Sequence, residues 1–232
     1  MPPSNELLAV HHVLVASDNA FQRRARLLQA LWREAQGLPI GDHRGRPLGS
    51  RLAMPAAKET LSSYLTDTVR KVVRREVLDP TRSSGKLFAQ PRIWNDLLSS
   101  QPMAFNLFGE LAEDLGLASR ALRQVTDGRI RQVTGIQFEH SPGRGDPRYT
   151  GDRSAFDVFI EYVTHGGKPG FVGVEVKYHE GLGDEPAAHR DRYDEIAAAM
   201  GCFDASAAER LRRKPPADLA RPLAGRQPPR RS

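Results

Sequence analysis

The chain has 232 residues, 39% hydrophobic and 27% charged, enough for one substantial domain with a buried core and short for two. Its one cysteine, Cys202, excludes an internal disulfide and any multi-cysteine metal site, which suits a reducing cytoplasm, and no apolar run approaches the ~20 residues of a membrane span. The formal net charge of +6 fits a polyanionic partner, although codon bias explains arginines that travel with Ala, Gly and Pro equally well.

In chain order, "ELLAVHHVLVAS" (6–17) is apolar, but Glu6 with no basic segment before it makes a poor signal peptide. Residues 19–36 place Phe21, Leu27, Leu28 and Leu31 at helical spacing. The Gly/Pro-rich stretch 37–52 reads as a loop. A second helix is predicted over 57–78, ending before Asp79-Pro80. Another opens at Ser100 or Gln101, near Pro102, with Phe105, Leu107, Phe108, Leu111 and Leu115 as a broad apolar face.

The texture then changes. Segments 128–140, 153–164 and 170–179 are β-branched or aromatic and alternate with period two, the pattern of strands. "HGGKPG" between the last two is short enough to close an antiparallel hairpin, and 187–203 returns to helix. Helices, three strands and a helix predict an α+β chain with a small antiparallel sheet. From Lys214 onward, five prolines and five basic residues in 19 positions form little helix or strand, so 214–232 is expected to be a disordered tail.

The two later strands carry the chemistry. Phe156, Val158, Ile160 and Tyr162 share one side of the first, with Asp157, Phe159 and Glu161 on the other. Val172, Val174, Val176 and Tyr178 share the apolar side of the second, opposed by Gly173, Glu175, Lys177 and His179. A hairpin that buries both apolar sides must set Asp157 opposite either Lys177 or Glu175, depending on register. Either choice gathers two carboxylates and an ammonium. Such a pair of carboxylates suits Mg²⁺, which binds through one or two acids and keeps several waters; the carbonyl of Val176 offers a further oxygen. Lys177 is one of only six lysines among 34 Lys+Arg, and a compact ammonium can orient water or meet developing negative charge. The plain alternative is an exposed Glu–Lys pair on a sheet face.

Asp157, a hairpin, then Glu175-Val176-Lys177 resembles the PD-(D/E)XK nuclease superfamily. The longer runs "LWREAQGLPIG", "LLSSQPMAFNLFGEL", "FEHSPGRGDPRYTGDRSAFDVFIEY" and "GVEVKYHE" resemble a bacterial branch of restriction-endonuclease-like proteins, over roughly residues 30–213. The resemblance implies an α/β sandwich-like, restriction-endonuclease-like core with a central mixed or antiparallel sheet flanked by helices, after an N-terminal helical region. It implies Asp157 and Glu175 as ligands of Mg²⁺ (or Mn²⁺), Lys177 as the catalytic lysine, and Glu110 in "FNLFGEL" as an additional acidic ligand from the first core helix. Here Phe156 stands where the family's name has proline. Expected boundaries are a single nuclease-like unit over 1–213, helical in 1–98 with its core in 99–213, and a tail from 214. The abrupt change at Lys214 suggests a truncated or frameshifted end, which would expose a sheet edge.

The function expected is Mg²⁺-dependent hydrolysis of phosphodiester bonds in DNA, with a homodimer favoured for two-strand cleavage. RNA is a second substrate class, and a non-catalytic binding module for nucleic acid or protein is the competing reading. Glu139 offers a further ligand or an ordinary solvated acid. His179 and Glu180 flank the triad, and His189, Arg190, Arg192 and Tyr193 are placed to meet a phosphate backbone or to cap and pack a helix.

Overall fold

The computed structural model describes residues 2–151, 154–179 and 190–201, with positions 204, 206 and 209. Glu180, His189, Cys202 and the 214–232 tail lie outside the described residues. The chain divides into two compact units, Met1–Ser141 with Ser154–His179, and Pro142–Arg153 with Glu180–Ser232.

The first unit opens with α1 (Asn5–Val10), capped by the Ser4 hydroxyl, which accepts from Leu7 N at 3.2 Å. Helix α2 (Ala20–Ala35) begins with a capping box: Asn19 accepts from the amides of Phe21 and Gln22, and the Gln22 side chain accepts from Asn19 N. Its buried residues are Ala25, Ala30 and Arg33; of the residues at helical spacing, Leu27 packs against Leu8, Val13 and Ala30, whereas Phe21, Leu28 and Leu31 are exposed. Arg33 is tolerated inside because its guanidinium donates to the carbonyls of Gly49 and Leu38 and to Glu34.

The stretch that reads as a loop is a hairpin. Strands β1 (Ile40–His43) and β2 (Arg46–Leu52) pair through the two-residue turn Arg44-Gly45, both at positive φ (54° and 76°). That geometry matches the right-handed strand twist and wants glycine, so the glycine that suggests a loop is the one that closes the hairpin.

The helix predicted over 57–78 is broken. Short α3 (Ala56–Thr60) stops at left-handed Leu61, and α4 (Asp67–Val73) restarts behind the Thr66 cap, running into a π-helical turn over Arg74–Leu78. After the short turns α5 (Pro80–Ser83) and α6 (Arg92–Asn95), α7 (Ser100–Glu113) and α8 (Leu115–Val125) follow, separated where Asp114 ends one and caps the other.

The sheet is an antiparallel meander of β3 (Ile130–His140), β4 (Phe156–Thr164) and β5 (Pro169–Val174). The α+β class with helices flanking antiparallel sheets, as in a restriction-endonuclease-like fold, is therefore present. Val158, Ile160 and Phe138 meet α7 in one core, where the Phe105 ring stacks on Phe138 at 4.2 Å and meets Tyr64 edge-on at 6.1 Å. Gly109 lets α7 sit against α4, since a Cβ there would lie 3.0 Å from Val69. Phe156 departs from expectation: its ring lies with Phe159 and Phe171, over Gly173, where an added Cβ would come within 2.4 Å of it.

In the second unit, α9 (Asp191–Met200) ends at left-handed Gly201. Arg192 donates to the carbonyls of Arg148 and Tyr149 at 2.7 and 2.9 Å and to Glu195 at 2.7 Å, tying the helix to the 142–151 loop. Packing is thus the observed work of this arginine.

Phe105→Ala removes a ring that is 2% exposed and joins α7 to the sheet. Urea denaturation is expected to show a loss of about 3–5 kcal/mol; a loss below about 1 kcal/mol would contradict the packing described.

Candidate active site

The β4–β5 register pairs Val163 with Pro169, Ile160 with Val172 and Val158 with Val174. Continued by one residue, it sets Asp157 opposite Glu175, the second of the two registers that the alternation allows. Strand β5 ends at Val174. Beyond it, the Asp157 carboxylate accepts the Val176 N–H at 2.7 Å, so a side chain takes the donor just past the end of the ladder. Val176 itself is 6% exposed and belongs to the core. Inward Val176 turns its neighbours outward, and Lys177 Nζ meets Glu175 Oε1 at 2.7 Å on the exposed side.

The neighbouring strand adds a third acid. Phe138 pairs with Val158 and His140 with Phe156, so Glu139 stands level with Asp157. Glu139 and Asp157 thereby stand side by side on β3 and β4, with Glu175 one residue past the end of β5. Glu139 holds φ +50°, a left-handed value that is uncommon for a non-glycine residue and worth notice near a functional position. Asp157 and Glu139 together border a small crevice with Gln101, Ala104 and Phe105 of α7 and with Phe138.

These surroundings push the Asp157 carboxyl above its ordinary value. Burial is the main cause; the Val176 N–H opposes it, the charges of Glu175 and Glu139 add to it, and the Lys177 ammonium works against it. An acid set against burial and two like charges is a position that a hard cation, which takes oxygen donors, would relieve. Among the described residues, no three His, Cys, Asp or Glu side chains form a ready-made metal cage. The donors therefore fit a two-carboxylate site completed by backbone oxygen and solvent.

Glu110 is not brought to these acids. Its carboxylate accepts from the Thr66 hydroxyl at the start of α4. Nine residues beyond Gln101 on the same helix, it lies about 13 Å along the axis and half a turn round from the face that meets Asp157. The expectation of Glu110 as an added ligand is corrected: the polar α7 residue beside Asp157 is Gln101, which also binds Ala89 N and Leu87 O.

Two residues of α2 join the site's surroundings without any forewarning in the sequence. Gln22 Nε2 donates to His179 O at 3.1 Å and Gln29 Nε2 to Tyr178 Oη at 2.8 Å. They hold the chain just after Lys177. Separations of 157 and 149 residues leave no local sequence signal for such contacts.

A meander packed on a helix, with Asp on its second strand opposite a Glu-x-Lys that follows its third, defines the restriction-endonuclease-like class of nuclease folds. The chain belongs to the PD-(D/E)XK nuclease superfamily, whose family model matches residues 16–224. No curated protein and no solved structure gives a match to the chain.

Because the Asp157 carboxyl is raised in the folded chain, its contribution to stability is present below the ordinary value of 3.8 and is lost as pH rises through the folded value. Asp157→Asn keeps an acceptor for Val176 N–H and removes the charge. In EDTA it is expected to melt at or above wild type at about pH 7, the difference closing near pH ~3; a variant markedly less stable at neutral pH would refute the charge burden. Added Mg²⁺ is expected to raise the melting temperature of wild type and leave the variant unmoved.

Proposed function

We propose that the chain is a metal-dependent phosphodiester hydrolase that acts on DNA. The observation that carries this reading is the register that sets Asp157 level with Glu175, with Lys177 paired to Glu175 and Asp157 anchored on Val176 N–H. Superfamily membership supports nuclease chemistry. Asp157 and Glu175, with the carbonyl of Val176, would hold Mg²⁺ or Mn²⁺, which supplies a more acidic bound water and charge neutralisation at the phosphate.

The chain's own groups do the rest. Asp157 is held in place by its bond to Val176 N–H, so it needs no reordering to act. Lys177 is tethered by Glu175, where its ammonium can orient the attacking water or meet charge developing on the phosphoryl oxygens. An arginine there would spread its charge over a planar fork and stay protonated. Among the described residues no helix is long and apolar enough to cross a membrane. The net charge of +6 favours an anionic polymer over a neutral substrate.

The test is cleavage of single- and double-stranded DNA and RNA in Mg²⁺, Mn²⁺ or EDTA. Wild type is expected to cut DNA only with the ion. Asp157→Ala, Glu175→Ala and Lys177→Ala are each expected to reduce the rate by about 10²–10³-fold. Activity that survives all three substitutions would end the mechanism, and nucleic-acid binding with no cleavage by wild type would assign the fold to a binding role.

A further inference from the structure

The two outer edges of the meander are finished differently. Along β3, side chains of α8 take up backbone groups in the first half of the strand. The Ser119 hydroxyl accepts the Val133 N–H at 2.8 Å, and Arg123 donates to the carbonyls of Ile130 and Arg131 at 3.4 and 2.8 Å. Along β5, no hydrogen bond of that kind is made among the described residues. Thr164 N–H donates to Lys168 O and Val176 N–H to Asp157, so Gly170, Val172 and Val174 turn their backbone groups toward β4. Phe171 and Gly173 therefore direct N–H and C=O away from the sheet. Pro169 stands in the same outward series, where a missing N–H costs the ladder nothing.

No residue from Pro169 to Val174 is charged, whereas natural edges are blunted by charge, a bulge or a covering element. Apolar surface flanks this edge on both faces. On one, the Phe171 ring is 59% exposed and ends a stacked series with Phe159 and Phe156. On the other, Val172 borders a hollow with Tyr162 and with Val125, which is 75% exposed. We propose that β5 pairs antiparallel with β5 of a second copy of this chain, about a two-fold axis at Val172, and this pairing does not depend on the hydrolase reading above. The order Gly170-Phe171-Val172-Gly173-Val174 favours a copy over an unrelated strand. Laid antiparallel on itself, it sets Phe171 opposite Gly173 and Val174 opposite Gly170, so a large residue meets a small one on each side of the axis. Each Phe171–Gly173 pair exchanges two hydrogen bonds, because both residues already point their backbone groups outward. Phe171 of one copy then abuts the Phe156 ring that lies over Gly173 of the other, which carries the aromatic series across the axis. The contact is isologous and uses up the open edge of each copy, so association closes at the dimer.

The test is sedimentation velocity of the full chain across a wide range of concentration. The mass is expected to double and to grow no further. Phe171→Lys sets a charge on the edge at a position already exposed; it is expected to stay monomeric, with its fold checked by circular dichroism. Hydrogen exchange distinguishes this edge from any other contact. The Phe171 and Gly173 amides are expected to exchange freely in the monomer and about tenfold or more slowly in the dimer, while Val172 and Val174 are slow in both. Facing residues of a non-hydrogen-bonded pair stand ~4.5 Å apart, within disulfide reach. Val172→Cys, in a chain that also carries Cys202→Ser, is therefore expected to cross-link two copies on oxidation. A mass that stays monomeric overturns the proposal, as does a dimer that Phe171→Lys leaves intact. Growth beyond the dimer overturns it too, since a head-to-tail contact of β5 with β3 would give that result. Slow exchange of Phe171 and Gly173 in the monomer would assign the edge to an intramolecular partner and would equally remove the second copy.

Discussion

The bond from Val176 N–H to the Asp157 carboxylate, 2.7 Å long, stands where β5 leaves the sheet. In a continued antiparallel ladder that donor would meet a backbone carbonyl of β4. Here a side chain takes it, and the strand stops at Val174. The consequence is geometric: one acid from β4 is locked to the backbone of the segment that carries Glu175 and Lys177. The anchoring is two-sided, because Val176 is also buried in the core. Apolar burial on one side and a charge-assisted bond on the other leave the segment little freedom to slide.

The same bond explains why an unfavourable carboxylate survives at this place. Burial and two neighbouring acids raise Asp157, and the amide it accepts from offsets part of that burden. A hydrophobic residue would fill the crevice at lower electrostatic cost but would leave Val176 N–H without its acceptor, a loss of about 1–3 kcal/mol. Structural need alone therefore accounts for an acceptor at 157. It does not account for Glu139 and Glu175 on either side of Asp157, whose charges both push it up. That excess negative charge is the feature that structure by itself does not require, and it is where perturbed acids commonly mark function.

How much of this is legible in the sequence depends on whether the signal is local. Alternation locates the three strands, and the parity of Asp157 and Glu175 reduces the hairpin to two registers, because a one-residue slip would expose Val172 and Val174. Choosing between the two needs the turn geometry. Glu110 is misplaced by sequence reasoning because a residue's place on a helix depends on which face meets the sheet. The apolar residues of 100–113 surround the helix broadly enough to leave that face undetermined. Glycine and proline between 37 and 52 mislead in the opposite sense: they suggest a loop, whereas the positive φ pair at Arg44-Gly45 is what a tight hairpin demands. The Phe156 ring could not be placed without knowing that it lies over Gly173, the cross-strand partner of Phe159.

Helix α2 shows how a pattern can be right about conformation and wrong about burial. Its apolar spacing predicts a helix, yet of that set only Leu27 packs inward, and the buried residues are Ala25, Ala30 and Arg33. Small residues let α2 approach the β1–β2 hairpin closely, and Arg33 satisfies carbonyls that the hairpin and the helix end leave facing inward. The larger side chains are then turned away from that contact, while Gln22 and Gln29 reach the 178–179 backbone and ring. One helix thus braces the segment after Lys177 with its amides and leaves apolar surface beside it. An exposed leucine alone needs no explanation; Leu28, Trp32 and Leu107 gather around one uncharged cavity between α2 and α7.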